Sequence, residues 1–557
     1  MAARCDRGRT MKNRATILIL GSAQFVMVLD TTVMNVSISQ VVADLDTTVP
    51  AVQLAITAYA LVMAAFMLTG AKLGDMYGRR RIFAIGLGVY GTGSLITALS
   101  PNVGVLLGGW SFVEGFGAVL VIPAIAALTA TNYEGKERAL AFGLLGGIAG
   151  AGVAAGPLIG GFVTSALTWR VVFAAETVVV IAILVFGTRS IKDSPPPTTR
   201  EKLDVVGAVL SALGLGLVVF GILKSSQWGL ITPTGALTIG GTEITPFGLS
   251  AVPFIIAAGV VVLLVFRRWE QRQMRMDRIP LLRPDLLRLP QLRGGLTMFV
   301  ASYLIMAGSF FALPLYLQLV LGKDALDTGI AILPISVAMI VAAILGGRLA
   351  DRVAPRRIVR IGLAILFVGL IGLMSSISPS LASPVFSVSL ALFGAGVGFV
   401  VSQLGNVVMS SVERSRSSEV GGLQGAAQSL GSSLGTALIG AVLLAGLTSG
   451  FHENVLADES IPADVQQQLV DATDQGVAMI SKPQAEATVS KAGLPPDEAT
   501  AVLNHYSEAQ IEALKRAVLA ASLFALLALW FAGDLPGVPL GTGEAGPGPA
   551  SGRRGRN

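Results

Sequence analysis

Charge is what this chain has least of. Of its 557 residues only 13% are Asp, Glu, Lys or Arg, against about 25% in a soluble globular domain, and the mean hydropathy is +0.72. So little charge cannot clothe a solvated surface, which excludes a soluble fold and leaves a polytopic, all-α membrane protein. Cysteine is nearly missing too: Cys5 stands alone, so no disulfide framework can form within the chain. Histidine is confined to His452 and His505. With neither HExxH nor GxxxxGK[ST] present, nothing supports a metalloprotease or a P-loop ATPase. No enzymatic activity, cofactor, metal site or nucleic-acid partner is expected, and the net charge of +6 has first to be sorted between the two sides of a membrane.

What the chain has instead is apolar runs, fourteen of them: 15–38, 51–71, 82–99, 103–130, 139–165, 171–188, 205–224, 249–266, 294–321, 329–347, 358–378, 384–409, 420–448 and 513–532. The first follows Arg4, Arg7, Arg9, Lys12 and Arg14 as a signal peptide would. It is longer than an h-region, however, and lacks an A-x-A site, so it reads as a retained span. An even number of spans puts both termini on one side. Placing them in the cytoplasm of a bacterial cell puts 33 of the 40 Lys and Arg inside, an asymmetry that one missed or invented span would destroy. The expected organisation is a basic arm (1–14), an N-terminal six-helix bundle (15–189), a linker region carrying inserted spans 7 and 8 (190–293), a C-terminal six-helix bundle with an acidic outer loop (294–534, loop 449–508) and a disordered tail (535–557). The Leu-Arg pattern of 267–293 suggests an interfacial helix on anionic headgroups, and 463–480 and 497–513 read as short amphipathic helices.

Asp30 lies inside the first run, about 5 Å beyond the bilayer midplane at 1.5 Å per residue. A charge there costs at least about 2.5–3.5 kcal/mol, so a role in taking up and releasing protons is expected of it. Gln24, Met27, Asp30, Thr31, Met34 and Asn35 fall within an arc of roughly 140° on this helix, its polar face. Glu114 in the fourth run lies roughly 17 Å deep on the same rise, close to the middle, and Glu176 in the sixth about 8 Å from the surface. No acid lies inside spans 9 to 13, so the ionisable machinery sits in the first half.

An internal repeat divides the chain. GAKLGDMYGRRRI (70–82) and GGRLADRVAPRRI (346–358) agree at eight of thirteen positions with a constant offset of 276 residues, each following the second span of a half. This implies two six-span halves with spans 7 and 8 inserted between them. The turn resembles the loop-2/3 signature of the major facilitator superfamily, G-x-L-a-D-r-x-G-r-[rk]. It departs at Ala71 for Gly, Met76 for Arg, and Ala354 for the later Gly of the second copy. The resemblance implies a conformational latch built from Asp75, Arg79, Arg80 and Arg81, with Asp351 and Arg352 in the second copy. Span 5 carries Gly143, Gly152, Gly156, Pro157, Gly160 and Gly161 at the spacing that resembles the antiporter motif of drug exporters in this superfamily. Physically, a bare stripe at 152, 156 and 160 lets another helix approach, and Pro157 bends the span. Leu29 to Val36 and Leu313 to Gln318 are similar to the span-1 and span-9 patterns of its fourteen-span drug/proton antiporter family. In span 4, Ser111 and Glu114 stand where that family has Arg and Gln, and Glu176 stands where it has Asn.

The expected function is proton-coupled export of amphipathic, cationic drugs by alternating access, by a monomer in the lipid bilayer. Asp30, Glu114 and Glu176 would carry protons. Gln24, Met27, Met34, Asn35, Phe112, Phe310, Tyr316, Gln403, Asn406, Gln424 and Gln428 are candidates for the substrate cavity. Alternatives are export or uptake of a native lipid, siderophore or metabolite on the same fold, or a non-transporting scaffold or sensor.

Overall fold

The computed structural model describes residues 2–47, 49–187, 191–192, 203–233, 237–239, 242–350, 352–379, 384–413, 416–473, 476–491 and 494–539. Fourteen helices are long and apolar enough to cross a membrane: Ala15–Met34, Leu54–Tyr77, Arg79–Ala98, Val103–Asn132, Leu140–Thr164, Arg170–Gly187, Val205–Ser225, Val252–Arg275, Pro290–Val320, Leu326–Leu349, Pro355–Ser376, Pro384–Ser410, Ser417–Ala457 and Pro496–Asp534, here spans 1 to 14. Helix is forced on such segments because lipid offers no partner for an open backbone N–H or C=O. The ends are fixed by local chemistry. Asn102, Asp204 and Asp324 accept backbone N–H bonds at the starts of spans 4, 7 and 10 (3.0, 2.9 and 2.7 Å), and Gly78, at φ +94°, breaks span 2 from span 3.

Spans 1–6 enclose one apolar core, around Val41, Phe83, Leu106 and Phe173, and spans 9–14 another, around Ile305, Leu370, Phe393 and Leu443. The two bundles meet along two seams lined with glycine. Span 5 lies against span 10: a Cβ on Gly143 would come 2.8 Å from the Ala343 carbonyl oxygen, and one on Gly329 would come 2.8 Å from the Leu158 Cα. Span 2 lies against span 13, with Gly422 on Ala71 and Gly425 on Met67. Span 7 packs across this second seam, touching spans 2 and 13 together, while span 8 packs chiefly on span 7.

The all-α class holds, and a short hairpin, β1 (Leu237–Ile239) against β2 (Thr242–Ile244), joins spans 7 and 8 as the only strand pair among the described residues. Several local expectations are corrected. The helix of span 1 begins at Ala2, so the arm continues it. Of the stretch expected as an interfacial helix, residues up to Arg275 continue the helix of span 8; beyond it stands only a short 3-10 turn, Pro284–Arg288, because Pro280, Pro284 and Pro290 deny helical hydrogen bonds in succession. In the acidic loop the helices are Ala463–Ala472 and Lys482–Lys491, and the segment from Pro496 runs unbroken into span 14. The loop is a folded cap. Tyr506 accepts from the Ile480 N–H (2.8 Å) and donates to the Ala478 carbonyl (2.9 Å). His505 Nε2 lies 2.6 Å from Asp458 Oδ2. Asp458 also accepts the Ser460 N–H at 2.9 Å, and the Ser460 hydroxyl and the His505 ring hold its carboxyl down at about 2. The tail from 540 and most of the linker at 190–204 lie outside the described residues.

Candidate functional site

Span 4 brings the site together. After its α-helical start, Leu107–Glu114 winds as π-helix, a conformation with an extra residue per turn that recurs at functional sites. Its last residue, Glu114, faces the bundle interior. Span 3 approaches so closely there that a Cβ on Gly93 would lie 2.6 Å from the Glu114 Cβ. One oxygen from each of Asp30, Glu114 and Glu176 falls within 4.8 Å of the others, and these residues are 0%, 0% and 3% exposed.

The triad is held from outside and open on the inside. Trp110 Nε1 donates to Asp30 Oδ1 at 2.8 Å, and Tyr59 stacks on the Trp110 ring (4.9 Å between centroids, 11° between planes). Ser94 Oγ lies 3.2 Å from Glu176 Oε2 and 3.0 Å from the Phe173 carbonyl, with one proton to share between them. The Tyr59 and Tyr90 phenols are the donors that face Asp30 and Glu114, and no hydrogen bond of ordinary length and angle reaches Asp30 Oδ2, Glu176 Oε1 or either Glu114 oxygen. Among the described residues no Lys, Arg or His pairs with any of the three acids. Like charges this close in a dry bundle need accompanying positive charge, as protons on the carboxyls or as a cation. Carboxylate oxygens are the donor type that a hard cation takes. Trp110, Tyr59, Tyr90 and Ser94 were not foreseen. Trp110 had a signal, lying one helical turn before Glu114.

The glycine stripe of span 5 grips the helix that carries Asp30. Cβ atoms on Gly152 and Gly160 would stand 3.0 Å from Val28 and 3.1 Å from Val33, and one on Gly156 would strike Thr32. Gly143 belongs to the other face of the span, against span 10. Gly161 follows in the same helix, and the Pro157 side chain is outside the described residues.

At the basic face, Arg79 is buried where Arg80, Arg81 and Arg352 are exposed. It pairs with Asp75 at 3.1 Å, donates to Thr131 at 3.0 Å, and crosses to Ser417 of the other half at 3.3 Å. Arg138 Nε donates to Asn406 Oδ1 at 2.9 Å, also across the halves. Arg80 reaches the Ile191 carbonyl. Asp351 is outside the described residues. In the second copy of the repeat Arg356 turns to the chain end, donating to the carbonyls of Gly533 and Leu535.

Between the halves lies a cavity of about 60 Å³ to which Gln24, Gln424, Gln428, Phe142, Phe299 and Tyr303 contribute, the three rings being unforeseen. Ligand pockets run to several hundred Å³, so the chamber is nearly collapsed here. Other cavity candidates stand elsewhere. Met27 and Met34 are buried in the N-terminal bundle core. Phe112 lines a crevice between spans 2 and 7, and Phe310 packs edge-on against Phe393. The Tyr316 hydroxyl donates to the Ser378 carbonyl at 2.8 Å, and the Gln403 amide donates to the Gly346 carbonyl at 2.9 Å. Asn406 belongs to the Arg138 contact, and the Asn35 side chain is outside the described residues. A separate apolar crevice, about 440 Å³, opens between spans 1, 5 and 6 and has Glu176 in its lining.

Comparison with known proteins places this architecture. The chain is 28% identical over 449 residues to the tetracenomycin C resistance and export protein of Streptomyces glaucescens, covering 80% of this chain and 79% of that one. It is 27% identical over 456 residues to multidrug resistance protein Stp of Mycobacterium tuberculosis, covering 82% and 80%. The crystal structure of a human organic anion transporter (TETRAN) superposes with a TM-score of 0.53 at 12% identity, over 93% of this chain and 99% of that one, a likeness of fold. Residues 20–436 match the family model of the Major Facilitator Superfamily, and the chain belongs to that superfamily of membrane transporters.

Proposed function

We propose that this transporter exports amphipathic small molecules in exchange for protons, with Asp30, Glu114 and Glu176 as the proton site. The observation that carries the reading is the triad: three buried carboxylates within membrane-spanning helices, with one oxygen of each within 4.8 Å of the others, phenols as their nearest free donors, and no Lys, Arg or His paired with them among the described residues. Such a site is expensive unless its charge is managed by protons that come and go. A route to the rest of the molecule exists, since span 5 holds span 1 on one face and span 10 of the opposite half on the other. Relatives named for drug resistance and export support the direction of transport. The concentration of Lys and Arg supports a cytoplasmic basic face with both termini on it. On this reading Arg79, Asp75 and Ser417, with Arg138 and Asn406, close the cytoplasmic side, and Gln24, Gln424 and Gln428 face the cargo.

The test is transport in liposomes under an imposed pH gradient. Asp30→Asn and Glu114→Gln are each expected to cut pH-driven export at least about tenfold, the size of one lost charge-assisted contact, at unchanged protein yield. Export by Asp30→Asn equal to the parent's would remove the proton role. A second reading, cationic cargo neutralised by the acids themselves, is favoured by the apolar crevice between spans 1, 5 and 6, which has Glu176 in its lining.

A further inference from the structure

The cavity between the halves and the acid triad are different places. Gln24 precedes Asp30 by six residues, about 9 Å along span 1, and none of the three acids lines the cavity. Among the described residues no Asp, Glu, Lys, Arg or His lines it either; its polar side chains are the phenol of Tyr303 and three amides, with Gln24 from one half and Gln424 and Gln428 from the other. The latter two are four residues apart on one face of span 13. Gln424 Oε1 is buried without a hydrogen-bond partner, an amide oxygen whose lost hydration goes uncompensated until something donates to it. The rings of Phe142, Phe299 and Tyr303 complete the chamber. It offers donors, acceptors and π-faces but no counter-charge. A cation moved into it would leave water for nothing that balances it, whereas an uncharged ring compound with hydroxyl or carbonyl groups finds a partner for each.

We infer that the cargo of the central site is an uncharged aromatic molecule bearing hydroxyl or carbonyl groups, held by Gln24, Gln424 and Gln428, and that protons at the triad drive its passage without touching it. This deepens the exporter reading above and rests on it. It also fixes a charge balance. Protons enter and a neutral molecule leaves, so each cycle carries net positive charge inward, and a membrane potential alone, at equal pH on both sides, drives export. A monocation exchanged for one proton would be blind to that potential.

The experiment uses the full chain in liposomes, with 1,8-dihydroxyanthraquinone and tetraphenylphosphonium as probes. The quinone is expected to move saturably under either a pH gradient or a valinomycin-set potential. Gln24→Leu, Gln424→Leu and Gln428→Leu should each weaken its apparent affinity about tenfold, while the amide-preserving Gln424→Asn retains most of it. Gel filtration of each purified variant separates loss of contact from loss of fold. Saturable export of tetraphenylphosphonium with the glutamine variants silent would overturn the cargo inference and leave proton exchange standing, as would quinone export that ignores the potential. Failure of both probes under a pH gradient, or a fully active Asp30→Asn, would overturn the exporter reading and the inference with it.

Discussion

Trp110 shows how one side chain determines what its neighbour can do. Its indole N–H occupies one oxygen of Asp30 and its ring is pinned by Tyr59, so the Asp30 carboxyl is held in position toward Glu114 and Glu176. That Asp30 and Glu114 stand at a similar level was legible from span counting, because 1.5 Å per residue converts position into height, and the structure brings their carboxyls together. Their partners were less legible, because a helical wheel gives a face but not what the face meets. The arc holding Gln24, Met27 and Asp30 points at the central cavity only at Gln24; Met27, on the same arc, is buried inside its own bundle. A second carboxylate tests the cap. With its folded value of about 2 below the ordinary 3.8, Asp458 stabilises the folded loop fully above pH near 4 and loses that contribution as the pH falls through 2. The protection factors of amides at 458–473 and 476–491, each rate taken relative to the intrinsic exchange rate at the same pH, should therefore hold down to about pH 4 and fall below it. Asp458→Asn should remove that acid step.

Among elements, span 5 is the most demanding. A side chain on Gly156 runs into Thr32, and overfilling a packed contact costs typically 1–3 kcal/mol. Gly156→Val is therefore expected to lose most transport and part of its thermal stability. Gly88→Ala in span 3, where nothing lies within 4 Å of the added carbon, should leave export unchanged and raise stability by up to about 1 kcal/mol through helix propensity; thermal unfolding in detergent distinguishes the two. The spacing of 152, 156 and 160 announced a close helix contact. That the partner is span 1, and that a second glycine face with Gly143 meets the opposite half, depends on packing between segments far apart in sequence. The same limit explains the acidic loop, whose polar surface suggested separate short helices, whereas the helix from Pro496 draws its continuity from docking onto span 13 through Ala509 and Ala513.

For the whole molecule, the number and order of the spans follow from hydrophobicity, but the inserted spans carry no sequence sign of where they go. Lying across the seam between spans 2 and 13, span 7 shields one side of the junction while the seam between spans 5 and 10 has no such cover among the described residues. Closure at the basic face is testable by cross-linking. In a Cys5→Ser background, Ala71→Cys with Gly422→Cys places two thiols across the halves, the added Cβ 2.8 Å from that of Ala71, near enough for a disulfide after a small parting of the backbones. Oxidation is expected to halt export and a reductant to restore it; a cross-linked protein that still transports would show that this seam need not open.

The helix of span 13 has 41 residues, about 60 Å, twice the roughly 30 Å of a hydrocarbon core. Its far end and the neighbouring helix from Pro496 form a mast fixed to one half of the transporter. If that half tilts by about 10°, a mast tip some 25 Å above the pivot sweeps roughly 4 Å, the scale of a one-turn helix shift. A fluorophore on the cap would thus act as a gauge needle, signalling each rocking stroke from outside the central cavity.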